Sequence, residues 1–237
     1  MKNRKKKSKK VKRHIKWKAF LLFLCLLFVI VFGFHYLWNI HVKNIYILGN
    51  SILKDYEIIE ASGLKEYPKI SKYTSKAIEK NINELDLVDK VKVRKNLLGK
   101  ITIKIEEANI LFYNRNNSTY VLSNGTETIN GEYTGIPFLN NYVQSAIYER
   151  LVQELSKVKI ESLSLISEIE YSPSKSGDIV LDDTRFLLRM NDGNQVYINL
   201  IHMDRLDVYA LTYTTLPQNE KGVLYLDSDN DRVLFGE

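Results

Sequence analysis

The chain has 237 residues and a net charge of +6, from 34 Lys and Arg against 28 Asp and Glu residues. Eleven of the basic side chains lie within residues 1–18, which hold no Asp or Glu, so the rest of the chain carries a net charge of −5. The only cysteine, Cys25, excludes a disulfide scaffold and a zinc–cysteine cluster. This length and an apolar fraction of 45% predict one or two folded domains.

The first predicted element is a transmembrane helix over residues 19–38, directly after the basic tail of residues 1–18. No Asp, Glu, Lys or Arg occurs between Lys18 and Lys43. About 20 apolar residues, at a rise of ~1.5 Å each, span the hydrocarbon core of a bilayer. Amphipathic aromatic rings prefer the headgroup level, which predicts three membrane-interface residues: Trp17, Tyr36 and Trp38.

The charge asymmetry predicts the orientation of this helix. The basic side lies in the cytoplasm under the positive-inside rule, so the bulk of the chain is extracytoplasmic, as in a type II single-pass membrane protein. A buried core helix and a cleaved signal peptide are the alternatives, but the bulky residues after Phe34 do not form an A-x-A-like cleavage site. The basic run can contact anionic membrane lipid. It lacks interleaved aromatic residues, so no nucleic-acid partner is predicted.

Residues 39–108 predict a small β-α-α-β-β unit with a three-stranded sheet covered by two helices. An apolar stretch from Val42 ends at a Gly49-Asn50 turn. Ser51 or Asp55 is predicted to cap a first helix that ends at about residue 61, and a second helix is predicted from Thr74 or Ser75 to about residue 87. Alternating apolar and polar residues then predict a hairpin with strands at residues 91–94 and 101–106.

Residues 109–237 predict a larger, mainly antiparallel β domain with two helices, which makes the fold class α+β. Alternation and turn residues predict strands at residues 110–113, 119–122, 127–129, 165–171, 179–181, 184–190, 195–199, 222–226 and 232–235. The predicted helices cover residues 143–158 and 203–214, and the first has Ile147, Leu151 and Leu155 on one face.

The titratable residues do not form a recognisable catalytic constellation. Of the four histidines, His14, His35 and His41 lie in the tail, the apolar segment and its border, which leaves only His202. Asp227, Asp229 and Asp231 match the opening of an EF-hand loop, but Arg232 stands where that loop needs glycine. We interpret this string as a polar turn and predict no catalytic, cofactor or metal site. Carboxylate chemistry remains an open alternative.

Several short motifs, in this order, resemble the FtsQ/DivIB family of bacterial cell-division proteins over essentially the whole chain. They are residues 45–50, 91–94 with 101–106, 120–125, 136–139, 166–169, Asp192-Gly193 and Arg205-Leu206. The resemblance implies a POTRA domain at residues 39–108 and a β domain at residues 109–237, after the tail and the membrane helix. The sequence differs from the family pattern at two places. The hairpin turn Asn96–Gly99 lacks the proline that the family commonly has there, and the segment that begins at Glu106 lacks the family's Glu-Arg-x-Pro pattern.

The family resemblance also implies the function. It predicts a non-catalytic, membrane-anchored scaffold of the divisome at the division septum, which links early and late division proteins and supports septum formation. The implied partners are coiled-coil division proteins of the FtsB/DivIC and FtsL types, and other septal proteins that contact the POTRA domain. The alternatives are a POTRA-containing secretion or membrane-protein assembly factor and an anchored extracytoplasmic enzyme.

The implied partner site lies in the C-terminal part of the β domain. A strand at a sheet edge offers unpaired N–H and C=O groups, and a partner can add a strand there. Two late segments are the candidates, with residues Gly222, Val223, Leu224, Tyr225, Leu226, Arg232, Val233, Leu234 and Phe235. In the alternative interpretation both segments only complete the sheet, with their apolar side chains in the core.

Overall fold

The computed structural model describes residues 17–212, 221–228 and 232–235, so most of the predicted basic tail lies outside the described residues. The architecture is α+β, as predicted. The helices of the described part are α1 (Trp17–Trp38), α2 (Asp55–Ala61), α3 (Ser75–Ile82), α4 (Ser145–Leu155), α5 (Ile160–Leu163) and α6 (Arg205–Thr212).

The strands of the described part are numbered in chain order. They are β1 (Asn44–Leu48), β2 (Val88–Lys95), β3 (Lys100–Glu107), β4 (Ile110–Asn114), β5 (Thr119–Leu122), β6 (Glu127–Thr128), β7 (Phe138–Leu139), β8 (Ile166–Tyr171), β9 (Ser174–Ser176), β10 (Ile179–Asp182), β11 (Arg185–Met190), β12 (Gln195–Asn199), β13 (Gly222–Tyr225) and β14 (Arg232–Phe235).

Helix α1 has 22 residues, none of them buried. At a rise of ~1.5 Å per residue it is about 33 Å long, which matches the hydrocarbon thickness of a bilayer. It begins at Trp17, two residues before the predicted start. The side chains of Trp17, Tyr36 and Trp38 are exposed at its two ends. The helix therefore fits the predicted single-pass membrane topology.

The first sheet has the order β1-β3-β2, with β1 parallel and β2 antiparallel to the central β3. Alternation along β3 buries Ile101, Ile103 and Ile105 in one core with Ile58 of α2 and Ile78 of α3. The β-α-α-β-β unit is therefore confirmed as the sequence predicted it.

The caps of the two helices in this unit differ from the prediction in detail. The hydroxyl of Thr74 accepts a hydrogen bond from the Ala77 N–H, so Thr74 is the N-cap of α3, which begins at Ser75, one of the two predicted starts. The N-cap of α2 is Lys54 rather than Ser51 or Asp55, and the Glu57 carboxylate accepts its N–H at 3.0 Å. Helix α3 ends at Ile82, not near residue 87, because tight turns follow it and β2 begins at Val88.

The carboxylate of Glu107 holds the loop before α2 against the end of β3. It accepts hydrogen bonds of 2.8 Å from the Ser51 hydroxyl and from the N–H groups of Ile52 and Leu53. Burial alone would raise the pKa of Glu107, but these three donors favour the charged form and hold the pKa below its ordinary value.

We expect Glu107→Gln to lower the free energy of unfolding by roughly 1–2 kcal/mol at neutral pH, because a charged acceptor of three donors is lost. Since the pKa of Glu107 is lower in the folded chain, its contribution is complete above the unfolded pKa of about 4.3 and fades as the pH falls through the folded value. Urea titrations of both proteins at several pH values measure this. An equal loss at neutral and strongly acidic pH would contradict it.

The second sheet has nine strands in the order β14-β13-β12-β11-β8-β7-β4-β5-β6, and most neighbouring pairs are antiparallel. Helix α4 covers one face through the predicted trio Ile147, Leu151 and Leu155, all buried. Helix α6 adds Leu206 and Tyr209 to the same core. The helices of this half number three in the described residues rather than two, because residues 160–163 form the short α5.

The two sheets are joined by side-chain and core contacts. The Asn124 amide donates to the carbonyl oxygens of Asp86 at 3.0 Å and Val88 at 3.3 Å. Ile110 and Leu122, from the second sheet, are buried in the core of the first. The predicted division between residues 108 and 109 stays a prediction, since these apolar contacts cross it.

Candidate partner-binding surface

Both segments predicted to bind a partner lie at one end of the nine-stranded sheet. Strand β13 runs parallel to β12 on one side and antiparallel to β14 on the other, with Val223 opposite Leu234. Within the described part of the chain, β14 is the terminal strand of this end. The structure thus places β14, rather than β13, where a further strand can be added.

The side chains of β13 divide between the core and the opposite face of the sheet. Leu224 and the following Leu226 are buried in the core beneath α4 and α6. Val223 and Tyr225 alternate with them and are only partly buried. Half of this segment therefore completes the sheet, and the other half contributes to the face that the helices leave uncovered.

An aromatic and cationic stack lies on this uncovered face. The ring of Tyr225 stacks on Tyr197 of β12, with centroids 5.2 Å apart and an interplanar angle of 17°. The Arg185 guanidinium lies over the other ring, 4.6 Å from the centroid of Tyr197. It also pairs with Asp227 at 3.7 Å. Tyrosine and arginine are the side chains that most often dominate binding at protein interfaces.

Charged side chains border this stack on the same face of β11 and β8. Arg189 contacts Glu168 at 3.1 Å and Glu170 at 3.0 Å. The three side chains are partly exposed to water, which screens the pairing and keeps its contribution to stability small. They make the border of the aromatic stack polar, which is the usual rim of a protein interface.

Two buried asparagines fasten the two ends of β13 to β12. The side-chain oxygen of Asn194 accepts the Gly222 N–H at 2.9 Å, and the Asn199 amide donates to the Asp227 carbonyl at 3.0 Å. Asn194 is 3% exposed and Asn199 is 5% exposed. Sequence reasoning missed both residues. The Asp192-Gly193 turn only predicted where β12 begins.

The carboxylate of Asp192 orients the first of these asparagines. It accepts hydrogen bonds from the Tyr209 hydroxyl at 2.6 Å and from the Asn194 side-chain amide at 2.9 Å. Burial alone would raise the pKa of Asp192, but these donors and the charge of Lys221 hold it below its ordinary value. Asp192 therefore stays charged at neutral pH, and the amide of Asn194 stays fixed with its oxygen toward β13.

A second exposed apolar feature lies near the same end of the sheet. Strands β9 and β10 form a separate two-stranded ribbon in which Ile179, Val180 and Leu181 are all exposed. The Asp182 carboxylate at its end accepts a hydrogen bond from Asn199 at 3.0 Å. The sequence predicted a strand here but gave it no role in binding.

The structure describes part of the EF-hand-like string and His202, the residues considered for metal binding or catalysis. In residues 17–212, 221–228 and 232–235, no three His, Cys, Asp or Glu side chains come together as a metal site. Asp227 of the EF-hand-like string pairs with Arg185, whereas residues 229–231 lie outside the described part. His202 contacts the Asn199 side-chain oxygen at 2.9 Å through Nδ1.

The side chains of β14 are outside the described part of the chain, so only the backbone pairing of Arg232, Val233, Leu234 and Phe235 is described. The structure brings the two predicted segments together as neighbouring strands. Their contact with a partner stays a prediction.

Comparison with known proteins agrees with this architecture. Residues 40–108 match the family description "POTRA domain, FtsQ-type". The cell division protein DivIB of Bacillus subtilis (strain 168) is 30% identical over 233 residues, which cover 92% of this chain and 85% of the relative. The chain belongs to the DivIB family. DivIB of Bacillus cytotoxicus is 26% identical, over 96% of this chain and 89% of its own length.

A solved structure of the family gives a weaker match. The major extracytoplasmic domain of DivIB from Geobacillus stearothermophilus, in its trans isomer, has 22% sequence identity and a TM-score of 0.37. The match covers 48% of this chain and 98% of that domain. The family assignment rests on the whole-length sequence relatives.

Proposed function

We propose that this protein is a non-catalytic, membrane-anchored scaffold of the bacterial divisome, which links early and late division proteins and supports septum formation. The observation that carries the proposal is the similarity to DivIB cell division proteins over 92% of the chain. Family membership supports a role in cell division. The scaffold role rests in addition on the surfaces that the fold offers.

The proposed topology places residues 1–18 in the cytoplasm, α1 in the membrane and the two sheets outside. The eleven basic side chains of residues 1–18 support this orientation through the positive-inside rule. The exposed apolar surface of α1 supports insertion into lipid rather than burial in a protein core. We expect the protein at the division septum.

The proposed partners are coiled-coil division proteins of the FtsB/DivIC and FtsL types, which would dock at β13 and β14. Strand addition at β14 would supply backbone hydrogen bonds, and the Tyr225–Tyr197 stack would supply side-chain specificity. Other septal proteins would contact the first sheet, whose match to an FtsQ-type POTRA domain supports a docking role. In this proposal no reaction is catalysed at any of these surfaces.

Depletion of the protein combined with fluorescence microscopy tests the proposal. A tagged full-length chain is expected at midcell, and its depletion is expected to produce filaments or incomplete septa. A uniform membrane signal with normal division would overturn the scaffold proposal. Loss of secreted or outer-surface proteins with normal septa would instead favour a POTRA-containing secretion or assembly factor.

A further inference from the structure

Two adjacent leucines stand exposed at the turn between β2 and β3. Leu97 is 66% exposed and Leu98 is 70% exposed. The side-chain oxygen of Asn96 accepts the N–H groups of Leu98 at 3.0 Å and Lys100 at 2.9 Å, which fixes the turn. Gly99 has φ +93°, and a Cβ there would come within 2.6 Å of the His41 carbonyl oxygen. The turn is therefore tightly shaped, and its shape holds both leucines outward.

This turn lies against the C-terminal end of the membrane helix. The Gly99 carbonyl accepts the Lys43 N–H at 2.8 Å, a few residues after α1 ends. The Ser71 hydroxyl donates to the carbonyl of Trp38, the last residue of α1, at 3.0 Å. The Ile70 N–H donates to the Ile40 carbonyl at 2.8 Å. The first sheet is thus held close to the end of α1.

An open, mostly apolar cleft of about 390 Å³ separates the turn from the helix. Its walls include Phe34, Leu37 and Trp38 from α1, together with Ile70 from the loop before α3, Lys95 at the end of β2 and Leu97 from the turn. Because Phe34 and Leu37 belong to the apolar stretch that spans the bilayer, Leu97 lies at the same depth as the outer end of that stretch. An apolar cleft at this depth opens toward lipid rather than water.

The positive charges near the turn favour contact with an anionic surface. Residues 40–44, 68–74 and 94–101 carry six Lys and Arg residues and no Asp or Glu. The ammonium of Lys95 is held by the carbonyl oxygens of Ile70 and Tyr73. Four lysines of these segments are exposed: Lys43, Lys69, Lys72 and Lys100. Apolar residues ringed by lysines are typical of segments that lie in the interface of an anionic bilayer.

We propose that the β2–β3 turn is a second membrane contact, with Leu97 and Leu98 inserted in the outer leaflet and the surrounding lysines bound to anionic phospholipid headgroups. This inference rests on the membrane anchoring in the proposed function. With two contacts, the first sheet is fixed in orientation relative to the bilayer.

The full-length chain offers a matched test in lipid nanodiscs, because Cys25 is the only native cysteine. In a Cys25→Ala background, Leu98→Cys and Ile201→Cys each place one bimane fluorophore at an apolar site of similar exposure, 70% and 72%. Ile201 follows β12 of the second sheet and is not part of the proposed membrane contact. Lipids with a doxyl quencher on the acyl chain report contact with the hydrocarbon. A label on native Cys25 serves as the positive control.

The proposal expects severalfold stronger quenching at position 98 than at position 201, and stronger quenching in phosphatidylglycerol discs than in phosphatidylcholine discs. Quenching at position 98 that is no greater than at position 201 would overturn the proposed membrane contact. This holds even if a partner protein covers position 98 in the cell. Equal quenching in the two lipids would overturn the proposed binding of the lysines to anionic headgroups. Failure of the proposed anchoring is distinguishable, since the Cys25 label would then escape quenching as well. A Leu97→Cys variant repeats the test if Leu98→Cys does not fold.

Discussion

Replacing Tyr225 by glutamate is expected to abolish co-purification of the coiled-coil division proteins with the full-length chain. The substitution removes the ring that stacks on Tyr197 and places a carboxylate on the same face as Asp227. Tyrosines that anchor an interface typically contribute 2 kcal/mol or more, which corresponds to a loss of roughly thirtyfold in affinity. The core side of β13 is unchanged, because Leu224 points away from this face.

Two control variants separate loss of the interface from loss of the fold. Tyr225→Phe keeps the ring and should retain the partners, since the stack needs only the aromatic face. Tyr142→Glu introduces the same charge at a tyrosine that is 71% exposed outside the candidate surface, and it should bind as the unmodified chain does. Retention of the partners by a folded Tyr225→Glu protein would place the interface elsewhere.

Replacing Asn194 by alanine is expected to destabilise the attachment of β13 by about 1–3 kcal/mol, because the buried Gly222 N–H loses its acceptor. Amide exchange in residues 222–226 should accelerate by the factor that corresponds to this destabilisation, whereas exchange in β3 of the first sheet should not change. Partner affinity should fall as well, although Asn194 lies in the core and not on the surface. Asn117→Ala, at an exposed turn asparagine, is the matched control.

Exchange in residues 222–226 that stays at the rate of the unmodified chain would contradict this role for Asn194. It would mean that the parallel pairing with β12 and the burial of Leu224 and Leu226 hold β13 without the side-chain anchor.

Much of the fold could be predicted because the decisive patterns are local. The alternation of Ile101, Ile103 and Ile105 predicted β3, and the spacing of Ile147, Leu151 and Leu155 predicted α4; these side chains are buried as expected. The apolar segment before Lys43 predicted α1 to within two residues at its start. Each of these elements buries or exposes one periodic face, which the sequence displays directly.

The elements that were missed lack a periodic apolar pattern in the sequence. Strand β7 has two residues, too few for a period, and exists because β4 and β8 pair with it on both sides. Strand β9 is Ser174-Lys175-Ser176, a polar segment that pairs only with β10. The sequence placed the candidate binding strands, but not their order in the sheet. Nothing local predicts that β14 is terminal or that Asn194 reaches Gly222 across 28 residues.

Hydrogen exchange of the full-length chain, with and without the extracytoplasmic segment of a coiled-coil partner, tests the central claim most directly. The two ends of the nine-stranded sheet, β14 and β6, provide the candidate site and its internal control in one molecule. Strand addition should slow exchange of the backbone amides in residues 232–235 by at least about tenfold, as outward N–H groups gain partners. Exchange in Glu127–Thr128 should stay constant. A complex that forms while β14 exchanges at its free rate would contradict docking at this end of the sheet.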